Sequence, residues 1–159
     1  MKKSLPKKLS KLMRVALADL AKAERSKYVH IDMGAWIKIN NNTNYDKYTV
    51  PKNKSVLEIF ESTPNCSVCF AGAVMVYSLD NPFIHNFDGK TQSKLFALDD
   101  VRNGNVASAL GFVASQTQVN LWKERHGEDT FNAPQYTDNP KIWRKHMWKI
   151  VRKLERIGL

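Results

Sequence analysis

The chain is predicted to adopt an α+β fold that is predominantly α-helical. Three features of the sequence predict it. Apolar residues recur at helical spacing in long segments near both ends, the run from Cys66 to Leu79 is almost wholly apolar, and β-type residues gather only around 29–39. At 159 residues with 43% hydrophobic content, the chain is long and apolar enough for one core, so a single domain spanning 1–159 is expected.

In chain order, a first amphipathic helix is expected from about Pro6 to Lys27, with Ser4 as its N-cap and Pro6 in its first turn. Leu9, Leu12, Met13, Ala16, Leu17, Leu20 and Ala23 share one side of it, and Lys7, Lys11, Arg14, Lys22 and Arg25 the other. Val29–Asp32 and Ala35–Ile39 read as short strands around Gly34. Asn40 to Asn44 reads as a loop, because asparagine side chains compete with regular structure. Ser55–Glu61 reads as a short helix. Cys66–Leu79 follows as a central, buried helix in which Gly72, between Ala71 and Ala73, lets another element approach closely. Gln92–Arg102, Val106–Val113 and Val119–Arg125 read as helices, the first ended by Asn103-Gly104 and the last near Gly127. Residues 128–137 read as irregular. The last helix is capped by Asn139 with Pro140 at its first position, and Trp143, Met147, Ile150, Val151, Leu154 and Ile157 form its apolar stripe. The terminal helices are expected to pack on the central one.

Charge is unevenly placed. The net charge is +10, yet residues 1–27 carry nine lysines and arginines against Asp19 and Glu24, and residues 141–159 carry seven against Glu155. The body between them is therefore net acidic, which implies a local basic patch rather than a uniformly basic protein. No apolar stretch reaches the roughly 18 residues of a membrane span, so no membrane association is expected. Met1-Lys2-Lys3 begins like a signal peptide but no apolar region follows, and the expected location is cytoplasmic. Two cysteines are too few for a disulfide-stapled scaffold.

Several patterns bear on chemistry. Cys66-Ser67-Val68-Cys69 is a C-x-x-C, which at a helix start favours thiolates, but the alternating strands of a thioredoxin-like unit are missing around it. A cysteine nucleophile with His85 or His126 as base is a further option; the plainer reading is two small buried residues in a core. His30, His85, His126 and His146 lack the close pairing of a zinc-finger half, so no metal and no cofactor are expected. Adjacent carboxylates at Asp99 and Asp100 diverge on a helix and suit local pairing. No phosphate loop, nucleophile elbow or H-E-x-x-H helix is present. The basic helix faces remain, with Trp148 placed among cations beside Lys145 and Arg152, where it is a candidate for base stacking or for packing beneath the N-terminal arm. The plainer reading of these faces is a solvated surface that maintains solubility.

Asn65-Cys66-Ser67-Val68-Cys69-Phe70-Ala71-Gly72-Ala73-Val74-Met75 resembles the cysteine-containing helix of small uncharacterised bacteriophage proteins, and so does Phe96-Ala97-Leu98-Asp99-Asp100-Val101-Arg102-Asn103-Gly104. Asp99 stands where the resembling chains carry Asn. The resemblance covers about 36–110 and implies a phage or prophage accessory protein, acting in the host cytoplasm if phage-encoded. It implies no mechanism, and both basic ends lie outside it. The expected function is non-enzymatic binding of an anionic partner, either nucleic acid or an acidic host-protein surface, as a host-directed inhibitor requires. The binding residues expected are Lys7, Lys11, Arg14, Lys145, Trp148, Lys149 and Arg152, with no catalytic residue assigned. The alternative is a thiol-dependent enzyme, redox or hydrolytic, using Cys66 or Cys69.

Overall fold

A computed structural model describes residues 4–39, 51–63, 65–127, 135–136 and 139–159. The Asn40–Asn44 loop and most of the irregular stretch 128–137 fall outside them. The described residues form seven α-helices and a three-stranded sheet, a predominantly helical α+β fold. They cluster into two compact units. One is built from residues 16–88 and the other from 4–15 with 89–159, so the helix α1 (Leu9–Arg25) gives its first half to one unit and its second half to the other.

In the unit of residues 16–88, the sheet consists of β1 (Val29–Ile31), β2 (Ile37–Lys38) and β3 (Cys66–Val68), in the order β1-β3-β2. β3 pairs parallel to β1, with Val29 opposite Cys66, and antiparallel to β2, with Ile37 opposite Val68. This corrects the expectation of one helix from 66 to 79. Cys66–Val68 is the central strand, and the helix α3 runs only from Phe70 to Tyr77. Residues at the centre of a sheet are buried on both faces and read as a continuous apolar run, as a buried helix does. Asn65, at φ 64, turns the chain into β3, and Cys69, in extended conformation, is the N-cap of α3.

The close approach expected at Gly72 is present. A Cβ there would lie 1.8 Å from the carbonyl oxygen of Trp36, and the same carbonyl accepts the Cys69 N–H at 3.0 Å. Only glycine leaves room for the loop between β1 and β2 to seat on α3. The helix α2 (Val56–Ser62) starts with a capping box between Ser55 and Glu58, and Asp80 Oδ1 accepts the Val56 N–H at 2.8 Å. The buried Asp19 of α1 accepts hydrogen bonds from Ser78 Oγ and from Lys22 Nζ.

The second unit holds the first half of α1 with α4 (Gly89–Arg102), α5 (Val106–Val113), α6 (Gln116–His126) and α7 (Pro140–Arg156). α1 begins at Leu9, later than expected. The Leu5 carbonyl, which a helix starting at Pro6 needs for its first turn, instead accepts Lys94 Nζ at 2.7 Å, while the Leu5 side chain is buried. α4 ends in a left-handed Gly104 and α6 in a left-handed Gly127, both at the expected stops. α6 starts three residues earlier than expected because Ser115 and Gln118 form a capping box. Asn139 caps α7 through the Ile142 N–H, with Pro140 behind it. Trp143, Met147, Ile150, Val151 and Leu154 of α7 are buried, as are Leu9, Leu12 and Met13 of α1.

Candidate functional site

The apolar stripe that buries α7 fixes where its charges point. At about 100° per residue, Lys141, Lys145, Lys149, Arg152 and Arg156 fall within an arc of about 80°, centred opposite the buried stripe. All five are exposed, and none makes an ion pair among the described residues. On α1 the same argument places Lys11 and Arg14 opposite Leu9, Leu12 and Met13, and Lys7 lies just before the helix. These three are also exposed.

Arg14 joins the two helices. Its Nε donates to Glu155 Oε1 at 2.7 Å and its Nη2 to Oε2 at 3.0 Å, a two-point ion pair across 141 positions of sequence. Its guanidinium carbon lies 5.1 Å from the centroid of the Trp148 ring. The hydrogen bond from Arg14 holds the Glu155 carboxyl below its ordinary pKa, and the same bond raises that of Arg14. Glu155 is the sole acidic residue of α7, and its charge and that of Arg14 offset each other, which leaves the other cations of the helix outside the pair.

All seven residues expected from the sequence therefore lie in one unit, and Arg14 ties the two segments together. Lys7, Lys11, Lys145, Lys149 and Arg152 are exposed and make no ion pair among the described residues. Trp148 is half-buried and has the Arg14 guanidinium over its ring. Lys141 and Arg156 extend the stripe and are readable from the same helical period. The role of Glu155 has no local signal, because its partner lies at the far end of the sequence.

The electrostatics agree with this layout. The His146 pKa is lowered first by burial and then by Lys149 and Lys153; that of His126, packed on Trp122 with ring centroids 4.0 Å apart, is lowered by burial, Lys153 and Arg125.

The other chemical candidates are less well placed. Cys66 and Cys69 have no exposed surface, and Cys66 Sγ donates to the Thr63 carbonyl at 3.3 Å. Cys66 lies on a strand and not at a helix start. Among the described residues no three His, Cys, Asp or Glu side chains converge as a metal site requires. Asp99 pairs with Arg102 at 2.6 Å, and Asp100 accepts Ser108 Oγ at 2.6 Å, so both carboxylates are engaged locally. A cleft of about 170 Å³ beside Lys7 and Leu159 is smaller than the roughly 300–1,000 Å³ of small-molecule sites. No helix among the described residues is long and apolar enough to cross a membrane.

No family model matches the chain, and no curated protein or solved structure does so either.

Proposed function

We propose that this protein is a non-enzymatic accessory protein that binds an anionic partner through the joined basic faces of α1 and α7. The observation that carries this reading is the Arg14–Glu155 ion pair. It ties together two cationic segments from opposite ends of the sequence and offsets the acidic side chain of α7, while Lys7, Lys11, Lys141, Lys145, Lys149, Arg152 and Arg156 stay exposed. A solvated face that served only solubility has no need for such one-sided placement, since mixed charges serve solubility as well.

The partner in this reading is nucleic acid or an acidic patch on a host protein. The resemblance of residues 36–110 to bacteriophage accessory proteins supports the host cytoplasm as the setting, and a host-directed inhibitory role is part of this proposal. Burial of both thiols counts against the thiol-enzyme alternative.

Binding to inorganic polyphosphate tests the reading with a probe that has charge and no other feature. Tight binding at low salt that weakens steeply as salt rises, and falls at least tenfold in a Lys145→Glu/Lys149→Glu variant, is the expected result. Absence of binding at low salt, or equal binding by the variant, removes the basis of the proposal.

A further inference from the structure

We infer that the ligand of this face is the phosphate backbone of double-stranded nucleic acid, contacted without base stacking or base readout. This rests on the anion-binding reading above and narrows it to one partner.

The first argument is the shape of the charge. Lys141 to Arg156 on α7 covers about 22 Å at 1.5 Å per residue, in a straight stripe on a rigid helix. A duplex holds its phosphates on a stiff scaffold that rises about 3.4 Å of axis per base-pair step, so the stripe matches an axial length of roughly six or seven steps and can meet phosphates where it crosses the two winding strands. A flexible single strand or a disordered acidic peptide must be ordered to match the same line, which costs conformational entropy. Duplex also has the higher charge density, one charge per about 1.7 Å of axis, and so releases more counterions on contact.

The second argument is the state of the aromatics. Single-strand binders stack bases on open rings set in a basic groove. On the two helices that form this face, Trp143 is buried with 1% of its surface exposed, and Trp148 lies under the Arg14 guanidinium. A base stacking on that side of Trp148 has to displace an arginine already held at two points by Glu155.

The third argument concerns readout. The α7 sequence contains no Asn or Gln, the residues that read adenine edges, and its stripe is built from lysines and arginines, which contact phosphate and, of the bases, can read only guanine. Five cations in line contact backbone and give affinity without sequence preference.

The test compares three probes of matched charge by fluorescence anisotropy: a mixed-sequence 16-base-pair DNA duplex, a dT oligonucleotide and poly-glutamate. The duplex is expected to bind at least tenfold more tightly than either. Its logarithmic salt slope is expected near −4 to −5, which corresponds to a loss of roughly 10²–10³-fold between 50 and 200 mM salt. A scrambled duplex should bind equally, and Lys141→Glu/Lys149→Glu, two exposed changes checked for intact fold by circular dichroism, should reduce binding at least tenfold. Tighter binding of the dT strand, with a large loss in Trp148→Ala, overturns the duplex inference in favour of stacking and leaves the anion-binding reading in place. Preferential binding of poly-glutamate overturns it in favour of an acidic protein surface. If no probe binds at low salt, the anion-binding reading itself fails.

Discussion

Arg14 and Glu155 meet through two hydrogen bonds of 2.7 and 3.0 Å, and the same guanidinium covers Trp148. One contact therefore sets the separation of the two basic segments, shields an aromatic ring and cancels an acid. Both partners are partly exposed, at 48% and 37% of their side-chain surfaces, so solvent screens the pair and its contribution to stability is small. Its consequence lies in the field that the surface presents.

Replacing the acid tests this division. Glu155→Gln keeps the shape and removes the charge, so affinity for a polyanion should rise about two- to fivefold with little change in the thermal midpoint. Titration of polyphosphate at low salt reads the first quantity and a melting curve the second. A marked drop in the midpoint indicates that the ion pair holds α1 and α7 together rather than tuning their charge.

Gly72 makes the sharpest packing prediction. A methyl group added there meets the Trp36 carbonyl at 1.8 Å, and backbone cannot swing away as a flexible side chain does. Gly72→Ala should destabilise the protein by more than about 2 kcal/mol, in the upper half of the usual range of overpacking costs. A urea midpoint equal to that of the parent chain means that the seat of Trp36 on α3 is wrong.

The thiols discriminate between binding protein and enzyme. Cys66 and Cys69 have no exposed surface, so alkylation has to wait for local or global opening. At pH 7.5 the native protein should react with iodoacetamide more slowly than a free thiol by a factor on the order of 10² or more, and both cysteines should react once the chain is unfolded. Rapid labelling of either one in the native state restores the thiol-enzyme alternative.

Two histidines give stability a pH dependence of known sign. Burial and neighbouring cations lower the pKa of His146 and His126 in the folded state, so the unfolded chain binds protons more readily at both. Their contribution is fully present above the unfolded value of about 6.5, and it is lost as pH falls through the lowered folded values. Urea midpoints should therefore decline between pH 6.5 and 5, and the decline should flatten in His126→Gln/His146→Gln. A midpoint independent of pH across this window contradicts the assignment.

The sequence made local structure legible where a cap or a stop is written into a few residues. Asn139-Pro140 opens α7, Asn103-Gly104 closes α4, and Gly127 ends α6, each within reach of its own signal. The start of α1 and the identity of Cys66–Val68 were not legible, for a common reason. A distant group decides each of them: Lys94 takes the Leu5 carbonyl, and β1 and β2 flank Cys66–Val68 to make a strand of an apolar run that also suits a helix. The site divides in the same way. The stripe Lys141, Lys145, Lys149, Arg152, Arg156 follows from helical period alone. The contact that joins it to Lys7, Lys11 and Arg14 spans 141 positions, and no pattern within either helix encodes it.

The most direct test of the basic face is a backbone and side-chain NMR titration of the folded protein with polyphosphate at low salt. Perturbations are expected to concentrate at Lys7, Lys11 and Arg14 and along Lys141, Lys145, Lys149 and Arg152, with the Trp148 indole N–H shifting as the Arg14 environment changes. Perturbations centred on other residues, or none at saturating probe, contradict a binding face formed by α1 and α7.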